Sequence, residues 1–281
     1  MTTKQVLPVE TMNLKDEKMR NSSNTTVIES RENGIVVLTI DNPPANTLDN
    51  ATIGLLTTSL KRHGLSVSDV RVIILTAEGT RFFSPGGDIK ELDGLTCDDG
   101  VERIRASHEL ACVMERLDVP IVCAINGDAV GGGTELCLFA DYRIAVKHAR
   151  FGMPEVKNGL LPAARSIQQA VRLLGLRVTR RLLYGGELIG AEEAVRIGLV
   201  DHVVEGNEAL RGEARAWAES IAAKPRELIV PIKRTIRLTG QLSDELVEEM
   251  AVSDFRRYFG SEEARQQLRA VLSRWNRPSK D

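Results

Sequence analysis

Two apolar runs rich in β-branched residues each lead toward a glycine-rich turn, and each turn opens a helix. The first run is Val70 to Thr76, followed by Phe83-Ser84-Pro85-Gly86-Gly87-Asp88 and a short helix, Ile89 to Leu92. The second is Ile121 to Ile125, followed by Gly131-Gly132-Gly133-Thr134-Glu135 and an apolar helix, Thr134 to Ala140. Nearly continuous apolar strands are buried on both faces, as in parallel sheets. Their alternation with helices confines this part of the chain to an α/β fold.

The remaining periodicities extend that pattern. Order begins near Val27. Gly34 to Ile40 predicts a strand closed by the turn Asp41-Asn42-Pro43-Pro44. Ile53, Leu56 and Leu60 predict a helix over Asn50 to His63. Ile104, His108, Ala111, Met114 and Leu117 share one stripe of a helix over Val101 to Leu117, which Pro120 stops. Tyr142 to Ala145 is strand-like. After about Ala163 helical patterns dominate: Ser166–Leu174, Val178–Tyr184, Ala191–Ile197, Glu208–Ala223, Leu228–Leu238, Asp244–Tyr258 and Glu262–Trp275, with only Val203-Val204 strand-like. No repeat of fixed period is visible. The expected organisation is a disordered or loosely attached arm over 1–26, an α/β core over 27–200 and a helical region over 201–281. No linker separates the last two, so the helical region is expected to pack on the core or on a second copy.

Composition removes several function classes. A net charge of -2 with no long run of one sign argues against a nucleic-acid or anionic-membrane footprint. Aromatics at 4 % are too few for base-stacking platforms. No apolar run is long enough to span a bilayer, and the polar first 26 residues lack the apolar stretch of a signal peptide. The cysteines Cys97, Cys112, Cys123 and Cys137 form no C-x-x-C pair, and the four histidines are scattered, so no metal site is expected. Reduced, mostly core cysteines and a cytoplasmic protein are the expectation.

The two turns and two glutamates carry the chemistry. The first N–H groups of a helix have no intrahelical acceptor, and glycine lets a ligand oxygen approach them. Gly131-Gly132-Gly133 reads equally well as such a site or as a tight turn. It is not a phosphate loop, because no lysine follows, and Ser84 is no nucleophile elbow, because G-x-S-x-G is absent. Asp88 stands where it would cap a helix. Glu135 lies in the first turn of an apolar helix, and Glu155 follows Phe151-Gly152-Met153-Pro154. A buried carboxylate is costly without partners or a task. Two convergent backbone donors beside two carboxylates suit an enolate, the anion formed next to a carbonyl.

These residues resemble the enoyl-CoA hydratase/isomerase, or crotonase, superfamily from about Val27 to Pro278. The matching segments are Asn42-Pro43-Pro44-Ala45-Asn46-Thr47-Leu48, Ser84 to Leu92, Asn126-Gly127 through Asp141, Phe151 to Glu155, Gly159-Leu160-Leu161-Pro162, Gly190-Ala191-Glu192-Glu193-Ala194, Gly198-Leu199-Val200 and Phe259-Gly260-Ser261-Glu262-Glu263-Ala264. The resemblance implies a spiral of β-β-α units with a helical C-terminal trimerisation region, often a dimer of trimers. It implies acyl-CoA thioester substrates and no cofactor beyond the CoA of the substrate. The N–H groups of Gly87 and Gly132 would hold the thioester oxygen. Gly87, Asp88, Ile89 and Lys90 would line the CoA and thioester channel, with Ala45 also at the substrate. Lys90 reads alternatively as a solvated lysine. Glu135 would take a proton from water and Glu155 would deliver one to the α-carbon, giving hydration of a 2-enoyl-CoA. An isomerase, a decarboxylase, a hydrolase or a weakly catalytic acyl-CoA-binding protein are the alternatives on the same scaffold.

The chain departs from the family pattern at two places. Pro85 stands where alanine is usual, which stiffens the turn. Ala163-Ala164-Arg165-Ser166 replaces a glycine-rich stretch, with Ala163 near the position that helps hold the catalytic water. Arg165 has two readings: a partner for an acyl carboxylate or for Glu155, or a solvated arginine on a helix face.

Overall fold

The computed structural model describes residues 17–20, 26–64 and 69–275. The chain begins with three antiparallel strands, β1 (Glu17–Arg20), β2 (Thr26–Glu32) and β3 (Ile35–Asp41), and a helix, α1 (Asn50–Gly64). Strand β1 lies in the arm expected to be disordered or loosely attached. It pairs with β2, with Arg20 opposite Thr26, and covers what would otherwise be an open sheet edge. The rest of that arm, and the last residues of the helical region, lie outside the described residues.

Three β-β-α units follow. The first is β4 (Val72–Ala77), β5 (Phe82–Ser84) and the helices α2 (Ile89–Asp93) and α3 (Cys97–Arg116). The second is β6 (Ile121–Ile125), β7 (Asp128–Val130) and α4 (Gly132–Leu138). The third is β8 (Tyr142–Val146), β9 (Arg150–Gly152), a single 3-10 turn over Glu155–Asn158 and α5 (Ala164–Gly185). In each unit the first strand joins a seven-stranded sheet, ordered β1-β2-β3-β4-β6-β8 and closed by β11 (His202–Val204). The second joins a four-stranded sheet ordered β10-β9-β7-β5, where β10 is Ile189–Gly190. This is the expected β-β-α spiral. The units begin at Val72, Ile121 and Tyr142, at unequal spacing, so the repeat has no fixed period in the sequence.

The large sheet carries most of the core. Ile73, Leu75, Ile121, Ile125 and Ile144 are fully or almost fully buried. Each such side chain contributes about 1.5–3 kcal/mol relative to exposure. Helix α6 (Ala191–Arg196) leads into β11, and α7 (Asn207–Ala222) covers the large sheet with Leu210, Ala214 and Ala218. Trp217 of α7 stacks on Tyr142 of β8, ring centroids 4.9 Å apart and 2° from parallel. Helices α8 (Arg226–Leu238), α9 (Asp244–Phe259) and α10 (Glu262–Trp275) complete the described residues. Lys233 of α8 ties them to the core through the Val119 carbonyl at 2.8 Å and Asp141 at 2.6 Å.

One local expectation holds and one changes. The two helices expected at Ser166–Leu174 and Val178–Tyr184 are the two arms of α5, separated at Gly175, whose φ of 73° and ψ of 163° are not helical. On α3 the buried face runs through Arg103, Leu110, Ala111 and Met114, while Ile104 is 51 % exposed and His108 is exposed. The inward stripe is thus turned by one residue at its N-terminal half, because a polar chain, Arg103, takes the place given to Ile104. Among the described residues no helix is long and apolar enough to cross a membrane.

Candidate active site

The small sheet is what brings the motifs together. Strands β5, β7 and β9 are parallel neighbours. The first glycine turn follows β5, the second follows β7, and Met153-Pro154-Glu155 follows β9. All three motifs therefore emerge at the same ends of adjacent strands. The sequence placed the turns after the longer apolar runs, which are β4 and β6, and missed these three-residue strands between.

The turns meet backbone against backbone. Gly86 has φ 94°, and a Cβ on it would lie 3.0 Å from both the Gly132 nitrogen and the Val130 oxygen. A Cβ on Gly133 would lie 2.1 Å from the Ser84 carbonyl oxygen. Only glycine allows this approach. The loop before α1 holds the first turn in place. Asn42 Nδ2 donates to the Thr47 carbonyl at 2.9 Å, Asn46 Nδ2 to the Phe82 carbonyl at 3.1 Å, and Leu48 N–H to the Gly86 carbonyl at 2.8 Å. Neither the Gly87 nor the Gly132 N–H is taken by an acceptor among the described residues.

A cavity of about 690 Å³ opens over the turns, within the usual size of a small-molecule site. Gly87, Ile89, Gly132, Glu135 and Glu155 line it, as their sequence positions led us to expect. Ala45, Asp88, Lys90 and Arg165 do not. Asp88 instead caps α2, accepting from the N–H groups of Lys90 and Glu91. Lys90 is exposed. Arg165 pairs with Glu115 of α3 and donates to Gln168 at 3.0 Å, so it is neither a partner of Glu155 nor an unpaired surface cation. Glu115 is only 12 % exposed and also meets Arg172 at 3.2 Å, so it competes successfully for that guanidinium.

Glu135 is held by the segment that departs from the family pattern. The Ala163 N–H donates to its Oε1 at 3.0 Å, and the Ser166 hydroxyl also bonds to it. Burial pushes the Glu135 carboxyl up to about 7; the Ala163 amide opposes this, the Glu155 charge adds to it, and Ser166 and Arg103 oppose it. Burial also raises the Glu155 carboxyl above its ordinary value. Its Oε1 sits where a Cβ on Gly131 would be 2.9 Å away, and its Oε2 is buried with no hydrogen bond among the described residues. Gly131, at φ 54°, thus leaves room for that carboxylate.

Sequence reasoning missed Leu48 and Arg103, both in the cavity wall. The signal for Arg103 was its helical spacing to Ser107, Leu110 and Met114. Among the described residues, no three His, Cys, Asp or Glu side chains cluster to hold a metal ion.

The similarities to known proteins agree with this geometry. A family model described as enoyl-CoA hydratase/isomerase matches residues 30–274. The crotonyl-CoA hydratase of Syntrophomonas wolfei is 33 % identical over 222 residues, which cover 78 % of this chain and 83 % of that protein. The short-chain-enoyl-CoA hydratase of Clostridium acetobutylicum is 30 % identical over 249 residues, 88 % of this chain and 95 % of that protein. An enoyl-CoA hydratase structure from Bacillus anthracis superposes with a TM-score of 0.81 at 28 % identity, covering 90 % of this chain and 97 % of that one. The chain belongs to the enoyl-CoA hydratase/isomerase, or crotonase, family and is an enoyl-CoA hydratase-like enzyme.

Proposed function

We propose that the protein adds water to a short-chain 2-enoyl-CoA, giving a 3-hydroxyacyl-CoA through a thioester enolate. The observation that carries this reading is the pair of carboxyls, Glu135 and Glu155, on one cavity wall beside two free glycine N–H groups. The Gly87 and Gly132 N–H groups receive the thioester oxygen, where negative charge develops. One such preorganised donor is worth about 10²–10³ in rate. Glu135, fixed by Ala163 and Ser166, takes a proton from water as the oxygen bonds to the β-carbon. Glu155, whose carboxyl burial raises above its ordinary value, gives a proton to the α-carbon. The chemistry needs only addition of the water oxygen to the β-carbon and proton transfers, with no change of oxidation level overall, so the reading calls for no cofactor beyond the CoA of the substrate. A short acyl chain is suggested by the names of the two relatives.

Steady-state kinetics with enoyl-CoA substrates of graded length test the proposal. Glu135→Gln and Glu155→Gln should each lower kcat by about 10²–10⁴ while the thioester still binds. A Glu135→Gln variant that hydrates at the wild-type rate would falsify the assignment. Isomerisation that survives the loss of Glu135 would identify a double-bond isomerase instead.

A further inference from the structure

Arg103 is a buried cation in a cavity whose proposed chemistry runs through an anion. It is 7 % exposed and lies on the inward face of α3. Its Nη2 donates to the Leu48 carbonyl, and its Nη1 to the Ser107 hydroxyl at 3.4 Å. Among the described residues its Nε is buried without a hydrogen bond, and the Glu91 carboxylate lies 3.8 Å from it. Leu48 in turn donates its N–H to the Gly86 carbonyl, so Arg103 is one residue removed from the turn that carries Gly87. A Cβ on Gly87 would lie 3.6 Å from Nη2. The guanidinium therefore stands beside the backbone of Gly87, the residue whose N–H the proposed mechanism uses. Glu91, Asp49 and Glu135 are the carboxylates near enough to act on its charge. A guanidinium remains charged even where burial opposes it. Keeping one here is costly unless its field serves something, because a neutral side chain would fill the same space.

We propose that Arg103 is a positioning residue of the oxyanion site: it fixes the Gly87 turn through Leu48, and its charge polarises the thioester carbonyl held there. This rests on the reading that Gly87 and Gly132 receive the thioester oxygen. It goes beyond that reading because no backbone donor supplies a full charge. A buried charge acts over several ångströms in a site from which water is excluded.

The test uses a ligand that reports carbonyl polarisation without turnover. A cinnamoyl-CoA thioester bearing an electron-donating ring substituent absorbs at longer wavelength as its carbonyl is polarised. Wild-type protein should shift its band to the red. Arg103→Met should lose most of that shift and lower kcat by about 10-fold or more, with KM changed much less. Arg103→Lys, which keeps the charge without the planar fork, should recover part of both. A folded Arg103→Met protein with the full red shift and wild-type kcat overturns the proposal. So does a rise in KM alone, which marks a wall residue. Should Arg103→Met fail to fold, Glu91→Gln decides: removing the opposing charge should enlarge the red shift, and an unchanged or smaller shift overturns the proposal. If the wild type hydrates no enoyl-CoA, the proposed hydration fails, while the chromophore comparison still decides the role of Arg103.

Discussion

The Ala163 N–H and the Ser166 hydroxyl favour the charged form of Glu135, but burial outweighs them and raises it to about 7. Two consequences follow from that one carboxyl. As the base that accepts a proton from water it must be ionised, so kcat/KM should fall as pH drops through about 7. A profile flat down to the ordinary carboxylate range would remove Glu135 as the base. The folded protein also binds this proton more tightly than the unfolded chain, for which the value is 4.5. The associated stability is present below 4.5 and is lost as pH rises through about 7. Glu135→Gln should therefore resist urea better than the wild type above that range, by about 1 kcal/mol, and show little difference in acid. Equal midpoints across the whole range would mean that the carboxyl is not strained by burial. The departure at Ala163–Ser166 gains a physical meaning here: alanine still offers its N–H, and Ser166 adds a second donor.

At the scale of elements, α1 is anchored on β2 by a buried carboxylate–imidazole contact. Glu29 of β2 is 6 % exposed; its Oε1 lies 2.6 Å from His63 Nε2. The Ser59 hydroxyl donates to its Oε2 at 2.9 Å. Burial acts to raise the Glu29 carboxyl, but His63, Ser59 and Arg62 together hold it below its ordinary value. Its contribution to stability is then present above 4.5 and lost as pH falls through the lowered value. Glu29→Ala removes a buried carboxylate from His63 and should cost about 3–5 kcal/mol in urea unfolding near neutral pH. A cost below about 1 kcal/mol would show that packing alone holds α1 to the sheet. The anchor matters to the site because α1 follows the loop whose Leu48 is tied to the first glycine turn.

On the scale of the whole molecule, the helices after α7 leave apolar side chains in solvent. Ile236 is 69 % exposed, Phe255 60 % and Leu272 55 %. Phe255 and Phe259 stack with centroids 4.5 Å apart, giving a preformed aromatic surface. We propose that this region joins copies of the chain in trimers, singly or as paired trimers. Sedimentation should give a mass of three or six chains, and Ile236→Glu with Phe255→Glu should reduce it. A wild type that sediments as one chain at micromolar concentration would remove the proposal.

What the sequence determined by itself was set by neighbouring residues. Apolar spacing placed the long helices and the strands of the large sheet, because burial needs one face per helix and a continuous run per parallel strand. The glycines at 86, 87 and 131–133, with Glu135 and Glu155, marked the site because their backbone and charge requirements are local. The tertiary structure decided which groups stand across from one another. It added the short strands β5, β7 and β9, whose side-by-side pairing assembles the site and whose length is below what periodicity can register. It gave Arg165 to Glu115, and it placed Arg103 against Leu48 and the first glycine turn. A side chain's partner is chosen by distance in space, and Arg103 and Leu48 meet only after α3 has packed against the first glycine turn.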